Sequence, residues 1–213
     1  MTPLYFSIIL ATYNRAHLLP RAIESVLKQS FQDWELLVVD DGSQDETASL
    51  IQAYCKKDAR IHYIPKEHSG LPKTRNAGIE AAQGKYCTFL DSDDEYKADH
   101  LQINFEYLEK DPDLKMLHSQ FEIIGNPYVP DARDTNKMIH LNDCTHMVSS
   151  FIETNFLKEI KGFPIVDFGE DFYLHEKIKE SGVKSLKTSH KTYIYHRSES
   201  DSLCNQLSRK NKA

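Results

Sequence analysis

The chain has 213 residues, of which 40% are hydrophobic and 27% are charged, and its formal net charge is −6 at pH 7. This composition is typical of a soluble globular domain, and the chain is long enough to form one substantial core. The negative charge, with no basic block before position 200, argues against a nucleic-acid partner, because phosphate binding needs a positive surface.

The N-terminal apolar run at 5–10 is too short for a signal peptide and for a membrane span. We therefore expect a cytoplasmic protein, with at most a peripheral membrane contact through the weakly basic end "SRKNKA". The four cysteines are far apart in the sequence and share no metal-type spacing, which favours free thiols in a reducing compartment. They are Cys55, Cys87, Cys144 and Cys204.

Strand-like and helix-like segments alternate over the first hundred residues. Apolar runs predict strands at 5–10, 34–39, 61–64 and 86–90, and helical periodicity predicts helices at 15–28, 45–57 and 71–83. Such alternation indicates βαβ units and a mostly parallel sheet flanked by helices, that is, an α/β fold.

The second half is less regular. We predict helices at 99–110, 153–160 and 168–181, strands at 114–125 and 144–152, and a polar loop or flap at 126–136. The segments "VKSLKT" and "KTYIYH" are interpreted as two closing strands that pair with each other. With no internal repeat or linker, we expect a single domain over 1–213 whose irregular second half builds a pocket.

Polar residues follow three of the four predicted strands, at the edge where open parallel sheets bind ligands. Thr12 follows the first strand, Asp41 the second, and "DSDD" at 91–94 the fourth. Turn and cap preferences explain Gly42 and Ser43, but they do not explain a carboxylate pair at Asp91 and Asp93. Two carboxylates without neighbouring histidine or cysteine suit Mg²⁺ or Mn²⁺, and such an ion can in turn hold a diphosphate.

Several ordered motifs resemble the family 2 glycosyltransferases of GT-A fold: "ATYNRAHLL", "VVDDGSQDET", "GLPKTRNAGI" and "FLDSDDEY". The resemblance runs from Tyr5 to Tyr96 and resumes at 161–182 and 193–203. It implies a Rossmann-like, nucleotide-sugar-binding half at about 1–96 and an acceptor-binding, catalytic-base half at about 97–213. Without a Gln-x-x-Arg-Trp motif or a membrane segment, we expect a soluble, non-processive enzyme.

The resemblance also implies an activity: inverting, metal-dependent transfer of a sugar from a nucleoside-diphosphate sugar to an acceptor hydroxyl. We favour a UDP-sugar as the donor, a glycan or lipid-linked saccharide as the acceptor, and a role in polysaccharide biosynthesis. The sequence does not distinguish a monomer from a homo-oligomer.

Site residues follow from the matching motif positions. Asp171 in "GEDFYL" matches the catalytic base, and Asp91 and Asp93 match the metal-binding Asp-x-Asp motif, with His196 as a further candidate for the metal or the diphosphate. The remaining positions match donor- or substrate-binding residues; they are Thr12, Tyr13, Arg15, Asp41, Arg75 and Glu170.

Two features leave other interpretations open. Asp171 lies in the first turn of a predicted helix, where an acid is favourable without any chemistry. The turn Lys161-Gly162-Phe163-Pro164 stands where family members have Gly-Gly-Phe followed by an acid. A non-catalytic nucleotide-sugar- or carbohydrate-binding module and a nucleotidyltransferase of similar fold are the alternatives.

Overall fold

The computed structural model describes residues 4–144 and 146–197. The first half alternates strands and helices as predicted, with most ends within about four residues of the expected ones. Its elements are β1 (Phe6–Thr12), α1 (Leu19–Leu27), β2 (Trp34–Asp40), α2 (Thr47–Lys57), β3 (Ile61–Pro65), α3 (Leu71–Ala81) and β4 (Tyr86–Phe89).

The second half contains shorter and more varied elements. They are β5 (Glu95–Tyr96), α4 (His100–Lys110), β6 (Met116–Gly125), β7 (Tyr128–Pro130), β8 (Met138–His140), a 3₁₀ turn (Leu141–Asp143), β9 (Ser150–Glu153), α5 (Thr154–Glu159), α6 (Glu170–Glu180) and β10 (Ser185–Arg197). Cys204, the end "SRKNKA" and part of the motif at 193–203 lie outside the described residues.

Eight of the described strands form one sheet in the order β3-β2-β1-β4-β9-β6-β10-β5. The pairs β1–β2, β1–β4, β2–β3 and β6–β10 are parallel, whereas β9 and β5 run antiparallel to their neighbours. The prediction of a mostly parallel sheet flanked by helices is therefore confirmed.

Both faces of this sheet are covered, because alternate residues of a strand point to opposite faces. In β1, Phe6, Ile8 and Leu10 pack in one apolar cluster that includes residues of α1, while Ile9 packs in a second cluster with Ile79 of α3. All seven residues of β2 are buried. The strands whose ends carry the polar motifs are therefore closely packed on both faces.

Two predictions for the second half are wrong. The segment 126–136 is not wholly loop: β7 pairs antiparallel with β8, and Val129 is buried. The closing strands do not pair with each other; residues 185–197 form the single strand β10, which runs parallel to β6 with register irregularities between Lys187 and Tyr193. The sequence between those two residues contains no glycine or proline that would favour a tight hairpin turn.

The predicted strand at 144–152 is also shorter than expected, since β9 begins at Ser150. Cys55 and Cys87 are free thiols. None of the described helices combines the length and apolar character needed to cross a bilayer.

Candidate active site

The carboxyl ends of β1, β2 and β4 form one rim of the sheet. The backbone N–H of Asp41 donates to the carbonyl oxygen of Thr12 at 2.9 Å, and that of Leu90 donates to the carbonyl oxygen of Ile9 at 3.0 Å. Thr12 is almost fully buried, and its hydroxyl has no hydrogen-bond partner among the described residues. A buried hydroxyl without a partner is unusual, which marks this point of the rim as a candidate ligand contact.

The carboxylate of Asp41 lies in a shell of hydrogen-bond donors. Oδ1 accepts from the backbone N–H of Ser69 at 2.9 Å and from Lys66 Nζ at 2.5 Å, and Oδ2 accepts from the backbone N–H of Gly70 at 2.9 Å. His68 Nδ1 lies 2.8 Å from Oδ2 and 3.1 Å from the carbonyl oxygen of Asp41. Burial alone would raise the pKa of Asp41, but the hydrogen bonds from Lys66, Gly70, Thr74 and Ser69 outweigh it and the pKa is lowered.

Tyr13 is linked to this carboxylate through His68 and is 43% exposed. Its ring stacks on the imidazole of His68, with the ring centroids 4.3 Å apart and the planes inclined by 25°. An exposed aromatic face that is linked in this way to a buried carboxylate suits a planar ligand that carries N–H donors.

Asp91, Asp93 and Asp94 form an acidic cluster after β4, with one carboxylate oxygen of each lying within 4.8 Å of the others. Burial, followed by the charge of Asp91, raises the pKa of Asp93 despite the pull of Arg15, whose Nη1 lies 3.0 Å from Asp93 Oδ2. Burial and the neighbouring carboxylates raise the pKa of Asp94 further. Three carboxylates that lie close together and repel one another offer oxygen ligands for a hard divalent cation such as Mg²⁺ or Mn²⁺.

Asp94 and His196 are joined through the backbone of β10. Asp94 accepts from Tyr193 Oη at 2.6 Å and from the backbone N–H of His196 at 2.7 Å. The imidazole of His196 instead lies 2.9 Å from Glu95 Oε1, and it is not one of the three residues of the cluster. A metal-binding role for the His196 ring stays a prediction.

Arg75 of α3 links the acidic cluster to the start of α6. Its side chain is only 3% exposed; Nη2 lies 2.8 Å from Asp91 Oδ1, while Nη1 lies 3.0 Å from Glu170 Oε1 and 2.9 Å from Asp171 Oδ1. The other oxygen of Asp171 accepts from the backbone N–H of Met147 at 3.0 Å. Burial opposes the charged form of Arg75, but the carboxylates outweigh it and raise the pKa of the guanidinium.

The turn at 161–163 places the Phe163 ring against the guanidinium of Arg75. The Asn76 side chain accepts from the Phe163 N–H and donates to its carbonyl oxygen, each at 2.8 Å. The Phe163 ring is buried against Phe89, and the Arg75 guanidinium carbon lies 5.1 Å from its centroid. The turn thus packs against α3 and the sheet, with Lys161 at its first position.

The structure thus brings nine of the ten predicted site residues to one rim or its immediate neighbours, with the His196 ring turned toward Glu95. The sequence interpretation missed Lys66, His68 and Asp94. Lys66 and His68 follow β3, so the rule that ligands bind beyond the carboxyl ends of strands would have found them if applied to the third strand as well. Asp94 enters the sequence interpretation only as part of the acidic run.

This mixed α/β architecture, a mostly parallel sheet flanked by helices, is the GT-A fold, as its similarity to solved structures shows. Residues 1–349 of S. aureus TarS, in complex with UDP-GlcNAc, match with a TM-score of 0.78 and 23% identity over 92% of this chain and 59% of that chain. The mannosyltransferase PcManGT from Pyrobaculum calidifontis, in complex with GDP-Man and Mn²⁺, matches with a TM-score of 0.71 and 20% identity over 91% of this chain and 57% of that chain.

A family model described as glycosyl transferase family 2 matches residues 7–165. The chain therefore belongs to glycosyl transferase family 2, which confirms the predicted family.

Curated relatives agree. The chain is 30% identical over 209 residues to the UDP-Glc:alpha-D-GlcNAc-diphosphoundecaprenol beta-1,3-glucosyltransferase WfgD of Escherichia coli, covering 94% of this chain and 80% of that protein. It is 43% identical over 103 residues to the putative teichuronic acid biosynthesis glycosyltransferase TuaG of Bacillus subtilis, covering 48% of this chain and 41% of that protein. It spans 17% of the length of an uncharacterized glycosyltransferase of Rickettsia felis, with 44% identity over 104 residues.

Proposed function

We propose that this chain is an inverting, metal-dependent glycosyltransferase that moves a sugar from a UDP-sugar to the hydroxyl of a lipid-linked saccharide or glycan. The observation that carries the proposal is the convergence of three groups around one rim: the Asp41 carboxylate with Tyr13, the acidic cluster, and Asp171 joined to that cluster through Arg75. This reaction requires a pocket for the nucleobase, a site for a cation and a candidate catalytic base.

The donor assignment rests on the β1 and β2 ends. Asp41 offers a buried carboxylate, Tyr13 an exposed ring and Thr12 a hydroxyl without a hydrogen-bond partner in the described part of the chain. These groups suit the N–H, the face and a polar edge of a nucleoside. Uracil has one ring N–H on its base-pairing edge, and this group could donate to a single carboxylate. The names of WfgD and of the TarS complex, which mention UDP-Glc and UDP-GlcNAc, support UDP over other nucleotides.

A divalent cation would be held by Asp91 and Asp93, with Asp94 beside them. The fit rests on the crowding of three carboxylate oxygens within 4.8 Å, and burial together with the neighbouring carboxylates raises the pKa of Asp93 and of Asp94. When bound, Mg²⁺ or Mn²⁺ neutralises charge on the departing diphosphate.

Asp171 would accept the proton of the acceptor hydroxyl. That oxygen attacks the anomeric carbon as the bond from this carbon to the diphosphate oxygen breaks, and the proton passes to the carboxylate. Arg75 and the Met147 N–H fix the orientation of the carboxylate, and general-base catalysis of this kind contributes roughly 10²- to 10⁴-fold. One carboxylate suits direct displacement, which inverts the anomeric configuration.

The acceptor is assigned from the names of two relatives. WfgD is named for a diphosphoundecaprenol-linked acceptor and TuaG for teichuronic acid biosynthesis, so polysaccharide biosynthesis on a lipid-linked saccharide is the favoured role. We further propose that the two sequence halves, about 1–96 and 97–213, serve the donor and the acceptor within one domain. Location in the cytoplasm and the absence of a nucleic-acid partner remain predictions.

One experiment tests the proposal: calorimetric binding of UDP with Mn²⁺, and release of UDP from UDP-sugars, for the parent, Asp93→Ala and Asp171→Asn. We expect Asp93→Ala to lose Mn²⁺-dependent binding, and Asp171→Asn to bind UDP within about twofold of the parent while its turnover falls roughly 10²-fold or more. Equal turnover in Asp171→Asn and the parent would reject Asp171 as the base. Binding without turnover by the parent, from any donor tried, would favour the binding-module alternative.

A further inference from the structure

The carboxylate of Asp41 is already surrounded by hydrogen-bond donors. An ionised carboxylate offers about four lone-pair sites on its two oxygens. Three hydrogen bonds reach them, from the backbone N–H of Ser69, from Lys66 Nζ and from the backbone N–H of Gly70. His68 Nδ1 lies 2.8 Å from Oδ2 and 3.1 Å from the carbonyl oxygen of Asp41. A nucleobase that pairs with Asp41 therefore competes with one of these groups.

His68 is the group best placed to leave. The N–H groups of Ser69 and Gly70 belong to the backbone that starts α3, so the fold fixes them. The Lys66 side chain is 20% exposed and also contacts Ser69 Oγ and the carbonyl oxygen of Glu67. The His68 side chain is 58% exposed and contacts Asp41 and Tyr13 alone among the described hydrogen-bond, ion-pair and ring-contact partners.

The imidazole also occupies the face on which a base would stack. Its centroid lies 4.3 Å from that of Tyr13, a separation that leaves no room for a third ring between them. The two contacts of His68, a ring face on Tyr13 and a ring nitrogen at Asp41, are those that a pyrimidine would make at the same place. Gly42 allows this approach, since a Cβ there would lie 3.0 Å from the backbone nitrogen of His68.

We propose that His68 is an internal competitor for the nucleobase: its imidazole fills the base position of the empty donor site and leaves when a nucleoside diphosphate binds. This inference rests on the proposed function, because it assumes that Asp41 and Tyr13 receive a base. It predicts that His68 weakens donor binding and thereby favours bases that recover both contacts, the stack and the N–H bond.

The test compares the parent, His68→Ala and the matched control His62→Ala by calorimetry with UDP and with inorganic pyrophosphate, each with Mn²⁺. His62 is likewise exposed, at 49%, but its carboxylate neighbour is Glu35 rather than Asp41. We expect His68→Ala to bind UDP about fivefold more tightly, the factor that corresponds to about 1 kcal/mol. Pyrophosphate, which has no base, is expected to bind all three proteins equally.

Weaker or unchanged UDP binding by His68→Ala would overturn the inference, because His68 would then be a wall of the pocket or a bystander. If that variant does not fold, the NMR resonances of the His68 imidazole in the labelled parent provide the test. They are expected to shift when UDP is added but not when pyrophosphate is added. Resonances that do not change on UDP addition would overturn the inference. Failure of the proposed function looks different, since the parent itself would then bind no nucleoside diphosphate.

Discussion

The guanidinium of Arg75 lies within 3.0 Å of carboxylate oxygens from three residues, Asp91, Glu170 and Asp171, and is almost fully removed from solvent. Its N–H groups are directed at protein carboxylates, so the geometry favours a counter-ion that holds the two acidic groups of the site together. The sequence resemblance implies a donor- or substrate-binding role for Arg75 instead. Glu170 and Asp171 follow Arg75 by 95 and 96 positions, so only the folded chain reveals this arrangement.

Removing this charge is expected to destabilise the protein. Arg75→Gln leaves three carboxylates without their cation, and breaking a buried pair from one side costs about 3 to 5 kcal/mol. Arg75→Lys keeps the charge but cannot contact all three groups, so we expect an intermediate loss. Urea unfolding at pH 7 measures both variants.

The control for this prediction is Arg133→Gln. Arg133 is 68% exposed and its pair with Asp131 is 3.7 Å long, so its loss is expected to cost less than about 1 kcal/mol. Equal stability of Arg75→Gln and Arg133→Gln would show that Arg75 is not the counter-ion of the site.

At the scale of elements, the turn after α5 connects the packing of the sheet to the site. Lys161 and Gly162 both have positive φ, at 61° and 56°, and a Cβ on Gly162 would lie 2.4 Å from Asn76 Oδ1. That oxygen accepts from the N–H of Phe163, whose ring supports Arg75. The glycine is therefore required by close approach as well as by its backbone angle.

Gly162→Ala is expected to lower the free energy of unfolding by about 3 kcal/mol, through the left-handed backbone and the displaced Asn76 side chain. Gly182→Ala is the matched control, because Gly182 has a φ of 68° but nothing within 4 Å of an added Cβ. It is expected to cost only about 1 kcal/mol. Similar losses in the two variants, measured by urea unfolding, would contradict the role assigned to Asn76.

Elements whose signals are local are predicted well. The apolar run of β2 and the helical spacing in α1 lie in contiguous sequence, and both elements form where expected. Elements that depend on a distant partner are not. β10 pairs with β6, some 70 positions earlier, and the short β7 and β8 pair only with each other, so the sequence pattern of each segment alone does not reveal its partner.

For the whole molecule, one rule predicts from the sequence which strand ends form the rim of the site. Parallel strands end on a common edge, and this brings Thr12, Asp41 and Asp91 together although 79 positions separate the first from the last. The rule predicts at which edge of the sheet these residues lie, but it does not predict the contacts between their side chains. The donors around Asp41 and the bridging position of Arg75 depend on side-chain packing across several elements, which the pattern of one chain does not specify.

Burial of the second half also fixes charge states, and this predicts how stability depends on pH. Burial, with His146 nearby, lowers the pKa of His118 on β6 to about 4, while the unfolded value is about 6.5. His118 Nδ1 lies 2.8 Å from Ser150 Oγ, and the ring stays neutral at pH 7. As pH falls below 6.5 the unfolded chain takes up a proton that the folded chain refuses until about pH 4, so stability is full above 6.5 and falls across that window.

His118→Gln removes this linkage. Between pH 7 and pH 5 the free energy of unfolding of the parent, relative to that of His118→Gln, is expected to fall by about 2 kcal/mol. Comparing the two proteins is necessary because the raised pKa values of Asp93, Asp94 and Glu170 act in the opposite sense, and they do so in both. Urea unfolding at half-unit pH intervals measures the difference. A difference that stays constant from pH 7 to pH 5 would mean that His118 takes up its proton equally in the folded and unfolded chains, and that water reaches this part of the sheet.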